Sequence, residues 1–261
     1  CLQYFNEDHV LDLRFNILNE KIDFFVISES TKNHQGKEKK LNFDIKNFSK
    51  YKKKIIYLVA DPNKNLIIED HKYGHSLIEQ HQRNFIINGL KKANDNDLIL
   101  ISDSDEIPKL DKLSLVKKKY FAFSQKSFCY KLNVFNPYED NWIGTRGCLK
   151  KNLKTPQELR NIKFKHYPFW RIDKRKLQII NDGGWHFSYL LNLEKISEKI
   201  KSFSHSEDNI KENTEIQNIQ KKINSLIHPT KNYKLKKIDL DDTFPKFIRN
   251  NQVRFDKWIA K

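Results

Sequence analysis

The amino-acid sequence predicts an α/β fold, with a mostly parallel central sheet flanked by helices and a C-terminal helical extension. Within residues 1–110, short apolar runs alternate with segments whose apolar residues recur at helical spacing, which is typical of buried parallel strands covered by helices. Beyond residue 192 the sequence is polar with helical spacing, and it ends in an apolar stripe. With 38% hydrophobic residues, the 261-residue chain can bury a core.

Six elements are expected in the first 110 residues. Each strand is a short apolar run that stops at polar or turn-forming residues, and each helix places its apolar residues on one face. In chain order they are a strand end at 2–5, a helix at 8–20, a strand at 22–27, a strand at 55–60, a helix at 75–93 and a strand at 98–101.

The rest of the chain has a different pattern. Residues 126–135 and 142–149 are expected to form paired strands. Thr155, Pro156 and Glu158 form a capping box with proline at the first helical position, so a helix should begin there. Residues 192–226 are expected to be helical, and the apolar residues near the end should pack back on the body. We find no repeat and no low-complexity linker in the sequence, so we expect a single domain.

The net charge does not by itself identify a partner. Lys and Arg total 49 against 33 Asp and Glu, and the resulting charge of +16 would suit a polyanion. However, 41 of these cations are Lys and only 8 are Arg, whereas base recognition favours the planar guanidinium group. We therefore expect no specific nucleic-acid partner. A basic surface would also suit peripheral attachment to an anionic membrane face.

Other features of the sequence bear on where in the cell the protein acts. The longest apolar runs are about six residues, far short of the roughly 20 that a membrane-spanning helix needs. The three cysteines are odd in number and lack CxxC spacing, which disfavours a disulfide framework or a cysteine-ligated zinc. We expect a cytoplasmic protein. The chain begins at Cys1 and contains no Met, so we expect its natural beginning to lie upstream, where a leader could stand.

The most informative segment is an acidic cluster directly after the strand at 98–101. Asp103 and Asp105 would project to the same side of an extended backbone, and Glu106 adds a third carboxylate. Ligands bind at the carboxyl edge of open α/β sheets, and paired carboxylates suit Mg²⁺ or Mn²⁺. A metal there would bridge to a diphosphate, as in a nucleotide-sugar transferase or a metal-dependent phosphoesterase. The alternative is a solvated acidic turn or a helix cap.

A second segment that could supply binding or catalytic residues begins at the pair Gly183–Gly184, which permits close approach of a ligand. Asp182 precedes the pair. Trp185 follows it and could stack on a sugar ring, and His186 could bind a metal or donate a hydrogen bond to phosphate. The alternative is a tight turn that enters a strand and places Trp185 in the core.

Further candidates lie elsewhere in the chain. Arg83 and Asn84 belong to the helix before the acidic cluster, where Arg83 either points toward phosphates or pairs with Glu79 on the surface. Glu29, near the end of the second strand, is placed to meet a nucleotide. Glu207 lies two residues after a histidine, in a segment that could also be a simple polar loop.

Taken in order, these motifs resemble those of the family 17 glycosyltransferases, whose best-known members are β-1,4-mannosyl-glycoprotein 4-β-N-acetylglucosaminyltransferases. The segment ISDSDEIP at 101–108 resembles the family's DxDEIP motif, and GWHFS at 184–188 resembles its GWH-S motif. The other similar segments are FNE with LDLRF at 5–15, IDFFVISES with GK at 22–37, and FPK with RF at 244–255. Each is weak alone, but five in order across nearly the whole chain are specific.

The resemblance implies a GT-A-like fold, a UDP-sugar donor (UDP-GlcNAc in the known members), a divalent metal, Mn²⁺ or Mg²⁺, and inversion at the anomeric carbon. It divides the single domain into a nucleotide-sugar-binding half at 1–110, an acceptor-side half at 111–191 and the helical extension at 192–261. The region 136–174 aligns only loosely. We therefore expect the acceptor to be a glycan or a glycolipid and do not carry over the N-glycan.

The resemblance also suggests roles for the candidates. Asp105 is expected to ligate the metal, with Asp103 on the metal or the ribose. His186 would be a further ligand or a phosphate hydrogen-bond donor, and Arg83 would add positive charge at the diphosphate. The remaining donor-binding candidates are Glu29, Asn84 and Trp185.

Inversion by a single displacement needs a general base for the attacking hydroxyl, typically worth ~10²–10⁴ in rate. The candidates are Asp182, Glu106 and Glu207, with Asp182 preferred because the Gly-Gly turn could bring it beside Trp185. Two other functions stay open. A metal-dependent phosphoesterase or nuclease would use the same residues to activate water. A basic nucleic-acid-binding module would not need them.

Overall fold

The structure, a computed structural model, describes residues 1–63, 65–66, 77–163, 176–202 and 208–261. The strands are β1 Leu2–Tyr4, β2 Phe25–Ser30, β3 Ile55–Ala60, β4 Leu98–Ile101, β5 Glu106–Pro108, β6 Tyr120–Cys129, β7 Val134–Phe135, β8 Trp142–Leu149, β9 Leu177–Ile180, β10 Gly184–Ser188 and β11 Lys236–Lys237. The α-helices are α1 Asp8–Leu18, α2 Leu77–Phe85, α3 Pro156–Asn161, α4 Leu193–Ser202, α5 Lys211–Thr214, α6 Ile216–Asn224 and α7 Lys246–Asn250. The 3-10 helices are Ile45–Lys54, Ile86–Leu90, Leu110–Leu115, Pro137–Glu139, Lys150–Asn152 and Asp256–Trp258.

The first four strands run parallel. β2 lies between β1 and β3, and both pairs are parallel. β1 continues to β4 through a parallel bridge between Leu2 and Ser102, and the N–H of Ser102 donates to the carbonyl oxygen of Cys1 at 3.0 Å. The spatial order is therefore β3-β2-β1-β4. The strand order reverses between β1 and β4, which is the position where open α/β sheets bind their ligands.

The larger sheet is mixed, which corrects the prediction of a mostly parallel central sheet. β8 pairs antiparallel with β4 and β6, whereas β9 and β10 pair parallel with β6. β5 is antiparallel to β10, and β7 is antiparallel to β6 and β11. The reason lies in the connections. Residues 130–141, which join β6 to β8, include the short strand β7 and no α-helix, and strands joined without a helical crossover pair antiparallel.

Several predicted boundaries are confirmed and others shift. The helix predicted to start at the capping box is α3, which begins at Pro156. The side chain of Thr155 accepts a hydrogen bond from the N–H of Glu158 at 3.1 Å. The strand predicted at 142–149 is β8, but its partner β6 spans Tyr120–Cys129 instead of 126–135. The strand predicted to stop at residue 27 continues to Ser30 as β2.

One apolar core joins α1, the sheets and the C-terminal segment. The N-terminal helix contributes its buried face to this core, and strand β10 contributes Trp185 and Phe187. The predicted packing of the terminal apolar stripe is confirmed, because four of its residues belong to the same cluster: Phe244, Ile248, Phe255 and Trp258.

No α-helix in the described ranges combines the length and apolar character that crossing a bilayer requires.

Candidate active site

A cavity of about 400 Å³ lies where β1 and β4 end. Phe5 and Glu7, which follow β1, and residues 103–105, which follow β4, are among the lining residues. Helices α2, α3 and α4 and strands β8 and β10 contribute further lining residues. The acidic, basic and histidine residues of the lining are Glu7, His34, Glu79, Arg83, Asp103, Asp105, Arg160, His186 and Lys199. The cavity therefore lies at the reversal of strand order and contains the acidic cluster.

Asp103 lies between two arginines. Its Oδ1 is 3.2 Å from Nη2 of Arg83, and its Oδ2 is 2.8 Å from Nη2 of Arg160. Burial alone would raise the pKa of Asp103, but the charges of Arg160 and Arg83 outweigh it and lower the pKa. Asp103 is therefore held as a carboxylate by both guanidinium groups.

Asp105 is 8% exposed and lies between a lysine and a histidine. Its Oδ2 is 3.3 Å from Nζ of Lys199, and its Oδ1 is 3.5 Å from Nε2 of His186. Nζ of Lys199 also lies 3.2 Å from Oε1 of Glu7. Burial would raise the pKa of Asp105, but Lys199 and His186 hold it well below its usual range.

The same contacts act on the cationic partners. Burial by itself would lower the pKa values of Lys199 and His186, but the charge of Asp105 outweighs burial and raises both. Lys199 is 4% exposed, so its ammonium group is desolvated inside the lining and held by carboxylates.

Strand β10 separates the predicted pair Trp185 and His186 because neighbouring side chains of a strand point to opposite faces. His186 and Ser188 face the cavity. The ring of His186 stacks on Trp142 with centroids 4.5 Å apart and planes 17° apart, and its Nδ1 is 3.4 Å from Oγ of Ser127.

Trp185 lies in the core instead of against the donor. It is 6% exposed, belongs to the main apolar cluster, and its indole N–H donates to the carbonyl oxygen of Thr243 at 3.0 Å. The proposed stacking of Trp185 on a sugar ring does not fit this position, and the alternative reading of a turn that leads Trp185 into the core does.

Glu106, a predicted general base, is fully buried and has all its acceptor capacity engaged. Its two oxygens accept from Arg160 at 2.9 and 3.0 Å, from the indole N–H of Trp142 at 2.9 Å and from the N–H of Asp103 at 3.1 Å. Gly144 makes room beside this cluster chiefly for Gln125, whose Oε1 would clash with a Cβ at position 144. Glu106 therefore positions Arg160 and Trp142 and is not placed to take a proton.

The preferred base, Asp182, lies outside the cavity. Its side chain is 53% exposed and pairs with Lys109 at 3.1 Å and Lys112 at 3.5 Å. The reason is the pairing of β5 with β10, which sets Gly184 opposite Pro108 and His186 opposite Glu106. Asp105 directly precedes β5, whereas Asp182 lies past the other end of that strand, near Pro108. Glu207, the third candidate, lies outside the described residues.

Glu29 and Asn84, predicted to bind the donor, have structural partners instead of a place in the cavity lining. Glu29 is fully buried and accepts from Lys39 at 2.5 Å, from the N–H groups of residues 42 and 43 and from the hydroxyl of Tyr57 at 2.9 Å. Oδ1 of Asn84 accepts from the N–H of Gln157 at 2.9 Å, in the first turn of α3. Of the donor candidates, Arg83 and Asp103 line the cavity.

Sequence reasoning missed Arg160, Lys199 and Trp142. One signal was available, because this chain uses Arg only 8 times against 41 Lys. Arg14 shows the same signal. It is 3% exposed, and its guanidinium donates to Oγ of Ser102 at 2.9 Å and to the carbonyl oxygen of Glu106. Arg14 and Arg160 thus occupy positions where the planar fork of donors is used, whereas no such signal pointed to Lys199 or Trp142.

A family model described as Glycosyltransferase family 17 matches residues 2–228. The chain belongs to glycosyltransferase family 17. The matched residues include every residue that lines the cavity, so the family membership and the cavity concern the same part of the chain. A glycosyl donor and an acceptor are therefore its substrates. The family membership disfavours the alternative hypotheses of a phosphoesterase and of a nucleic-acid-binding module. No curated protein and no solved structure matches the chain.

The predicted metal ligands are only partly assembled. Within the described ranges, no group of three or more His, Cys, Asp or Glu side chains is arranged to hold a metal ion. Asp105 and His186 lie together, whereas both oxygens of Asp103 point at arginines. Mg²⁺ is commonly held by one or two carboxylates with waters and substrate phosphates as the other ligands. Asp105 supplies one such carboxylate, with the nitrogen of His186 beside it and Lys199 on its other oxygen, whereas Asp103 would have to leave an arginine first.

Proposed function

We propose that this family 17 glycosyltransferase transfers a sugar, with GlcNAc the first to test, from a UDP-sugar to a hydroxyl of a glycan or glycolipid with inversion. The observation that carries the proposal is the cavity at the ends of β1 and β4, which combines Asp103 and Asp105 with the buried Arg83 and Lys199 and the largely buried Arg160. Such a place suits a nucleotide diphosphate, because ligands of open α/β sheets bind at this edge. The strand order and the family membership support a GT-A-like fold.

The three cations Arg83, Arg160 and Lys199 would bind the diphosphate and stabilise the charge that develops as UDP leaves. Each is already oriented by a carboxylate, since Arg83 and Arg160 contact Asp103 and Lys199 contacts Asp105. Preorganised cations of this kind stabilise a leaving anion without having to reorient during the reaction.

A divalent ion, Mn²⁺ or Mg²⁺, held by Asp105 and His186 would neutralise part of the diphosphate charge. Lys199 and the stacked ring of Trp142 fix those two side chains in place. His186, if it binds the ion, must be neutral, and Nδ1 near Ser127 would then carry the remaining proton as a donor to Oγ.

Donor binding tests this proposal most directly. We would titrate the protein with UDP-GlcNAc, UDP-glucose, UDP-galactose and GDP-mannose in the presence and absence of Mn²⁺ by calorimetry. At least one UDP-sugar should bind, Mn²⁺ should strengthen its binding, and Asp105→Asn should weaken it by about tenfold or more, because a charged group that orients Lys199 is lost. Asp182→Asn makes the same chemical change outside the cavity and should bind normally.

Two outcomes would contradict the proposal. Binding of GDP-mannose without binding of any UDP-sugar would exclude the uridine donor. Release of free phosphate from nucleotides without an acceptor would support the alternative hypothesis of a phosphoesterase. Attachment to a membrane face stays a prediction from the basic composition.

A further inference from the structure

A second cavity adjoins the first. It has a volume of about 370 Å³ and is formed by residues 137–143, which connect β7 to β8. Among the described residues, Trp142 is the one that lines both cavities. Its indole is held in place by the hydrogen bond to Glu106 at 2.9 Å and by the stack on His186. The two cavities therefore share a rigid wall next to the acidic cluster.

The loop that forms the second cavity is anchored at several points. The side chain of Asn136 accepts from the N–H of Tyr138 at 3.2 Å and donates to the hydroxyl of Tyr233 at 3.1 Å. The rings of Tyr138 and Tyr233 lie 4.3 Å apart, and Lys231 binds Glu139 at 2.8 Å. Because these contacts already order the loop, ligand binding would not carry the entropic cost of ordering it.

The side chains of this loop have the chemistry that a carbohydrate needs. Tyr138 is 66% exposed and offers an aromatic surface to the C–H face of a pyranose ring. Asp140 and Asn141 are exposed and can hydrogen-bond sugar hydroxyls. Oδ1 of Asn141 accepts from Oγ of Ser124 at 3.2 Å, which directs its amide N–H groups toward other acceptors.

We propose that this second cavity binds the acceptor sugar. The inference rests on the proposed function and extends it by naming the acceptor subsite and its chemistry. An acceptor bound there would approach the donor cavity past Trp142, which lines both cavities.

The charge of the loop narrows the class of acceptor. Glu139 and Asp140 are both acidic, and the nearby cation Lys231 is already paired with Glu139. An acidic sugar or a phosphate would meet uncompensated negative charge there. The subsite therefore favours a neutral or amino sugar over a sialic or uronic acid.

The test uses simple pyranosides as probes: the methyl β-glycosides of mannose, galactose, glucose and N-acetylglucosamine. Their binding to the full chain would be titrated by saturation-transfer NMR in the presence of UDP and Mn²⁺. At least one should bind, and Tyr138→Ala should raise its dissociation constant about fivefold through loss of the aromatic contact. Asp140→Asn should raise it as well. Phe24→Ala removes another exposed aromatic side chain, at the start of β2, and should have no effect.

UDP affinity, measured on the same samples, separates this inference from the proposed function. With normal UDP binding, two results would overturn the subsite: no glycoside binds, or Tyr138→Ala and Asp140→Asn bind as the wild type does. A wild-type protein that fails to bind UDP would overturn the proposed function and the subsite with it. Preferential binding of methyl glucuronide over methyl glucoside would contradict the charge argument.

Discussion

The buried pair of Glu106 and Arg160 allows a quantitative test of the role of the acidic cluster. Glu106→Gln preserves the volume of the side chain but removes its charge and turns one acceptor into a donor. The new amide group would face donors from Arg160, Trp142 and the backbone of Asp103, which now all donate to the carboxylate. At least one of these donors would lose its partner.

The size of the effect follows from burial. Glu106 has no exposed surface, and the side chain of Arg160 is 12% exposed, so solvent screens the pair only weakly. Arg160 would keep its ion pair with Asp103, so the cost comes from the buried donors that lose an acceptor, about 1–3 kcal/mol. For a chain of this size, each kcal/mol shifts the melting temperature by roughly 2–4 °C, so we expect a decrease of about 5 °C.

Urea unfolding followed by circular dichroism would measure the free energy of unfolding. Glu20→Gln makes the same change at an exposed position and should stay within about 0.5 kcal/mol of the wild type. Combining Glu106→Gln with Arg160→Met should cost less than the sum of the two single changes, since both belong to one network. If Glu106→Gln kept full stability but abolished sugar transfer, Glu106 would be the general base and our interpretation would be wrong.

Three other predictions follow from the same structure. Lys199→Met should weaken UDP binding about tenfold or more by calorimetry, because a buried cation beside Asp105 is lost, and unchanged affinity would remove Lys199 from the donor site. Burial lowers the pKa of His228 to about 4. The stabilisation that the neutral ring provides is therefore complete above pH 6.5 and is lost as the pH falls toward 4, by up to about 3 kcal/mol. His228→Gln should flatten that part of the pH dependence of urea unfolding, and an unchanged profile would contradict the assignment. Trp185→Phe should lower stability by about 1–3 kcal/mol through loss of the hydrogen bond to Thr243 and leave donor affinity unchanged, whereas a selective loss of donor binding would restore its predicted role.

The sequence predicted those site residues whose placement depends on local pattern. Asp103 and Asp105 follow a short apolar strand, and a strand of that kind delivers the next residues to the carboxyl edge of the sheet. Alternation along β10 requires Trp185 and His186 to face opposite ways, but the pattern cannot say which of them faces the core. The packing of Thr243 and the C-terminal segment against β10 decides this in favour of Trp185.

Two carboxylates predicted at the site, Glu106 and Glu29, do not line the cavity and have protein partners instead. Glu106 stands within the acidic motif, yet its role depends on Arg160 and Trp142, which are far along the chain. Glu29 likewise has its charge engaged by Lys39 and a loop backbone. A motif indicates which carboxylates are near the site. Only the tertiary contacts show which of them are engaged as acceptors and which face the cavity.

The charge of the cavity gives a reason for a divalent ion that is independent of ligand geometry. The described lining contains the carboxylates of Glu7, Glu79, Asp103 and Asp105 and the cations Arg83, Arg160 and Lys199. These are four negative and three positive charges, and Asp105 raises the pKa of His186, so the lining is neutral to slightly negative although the whole chain carries +16. The surface lysines that produce the net charge are screened by salt within about 10 Å, so they cannot neutralise a buried diphosphate. A doubly charged cation that enters with the donor would restore the balance at the place where the leaving group forms, and this is why we expect donor affinity to depend on Mn²⁺ or Mg²⁺.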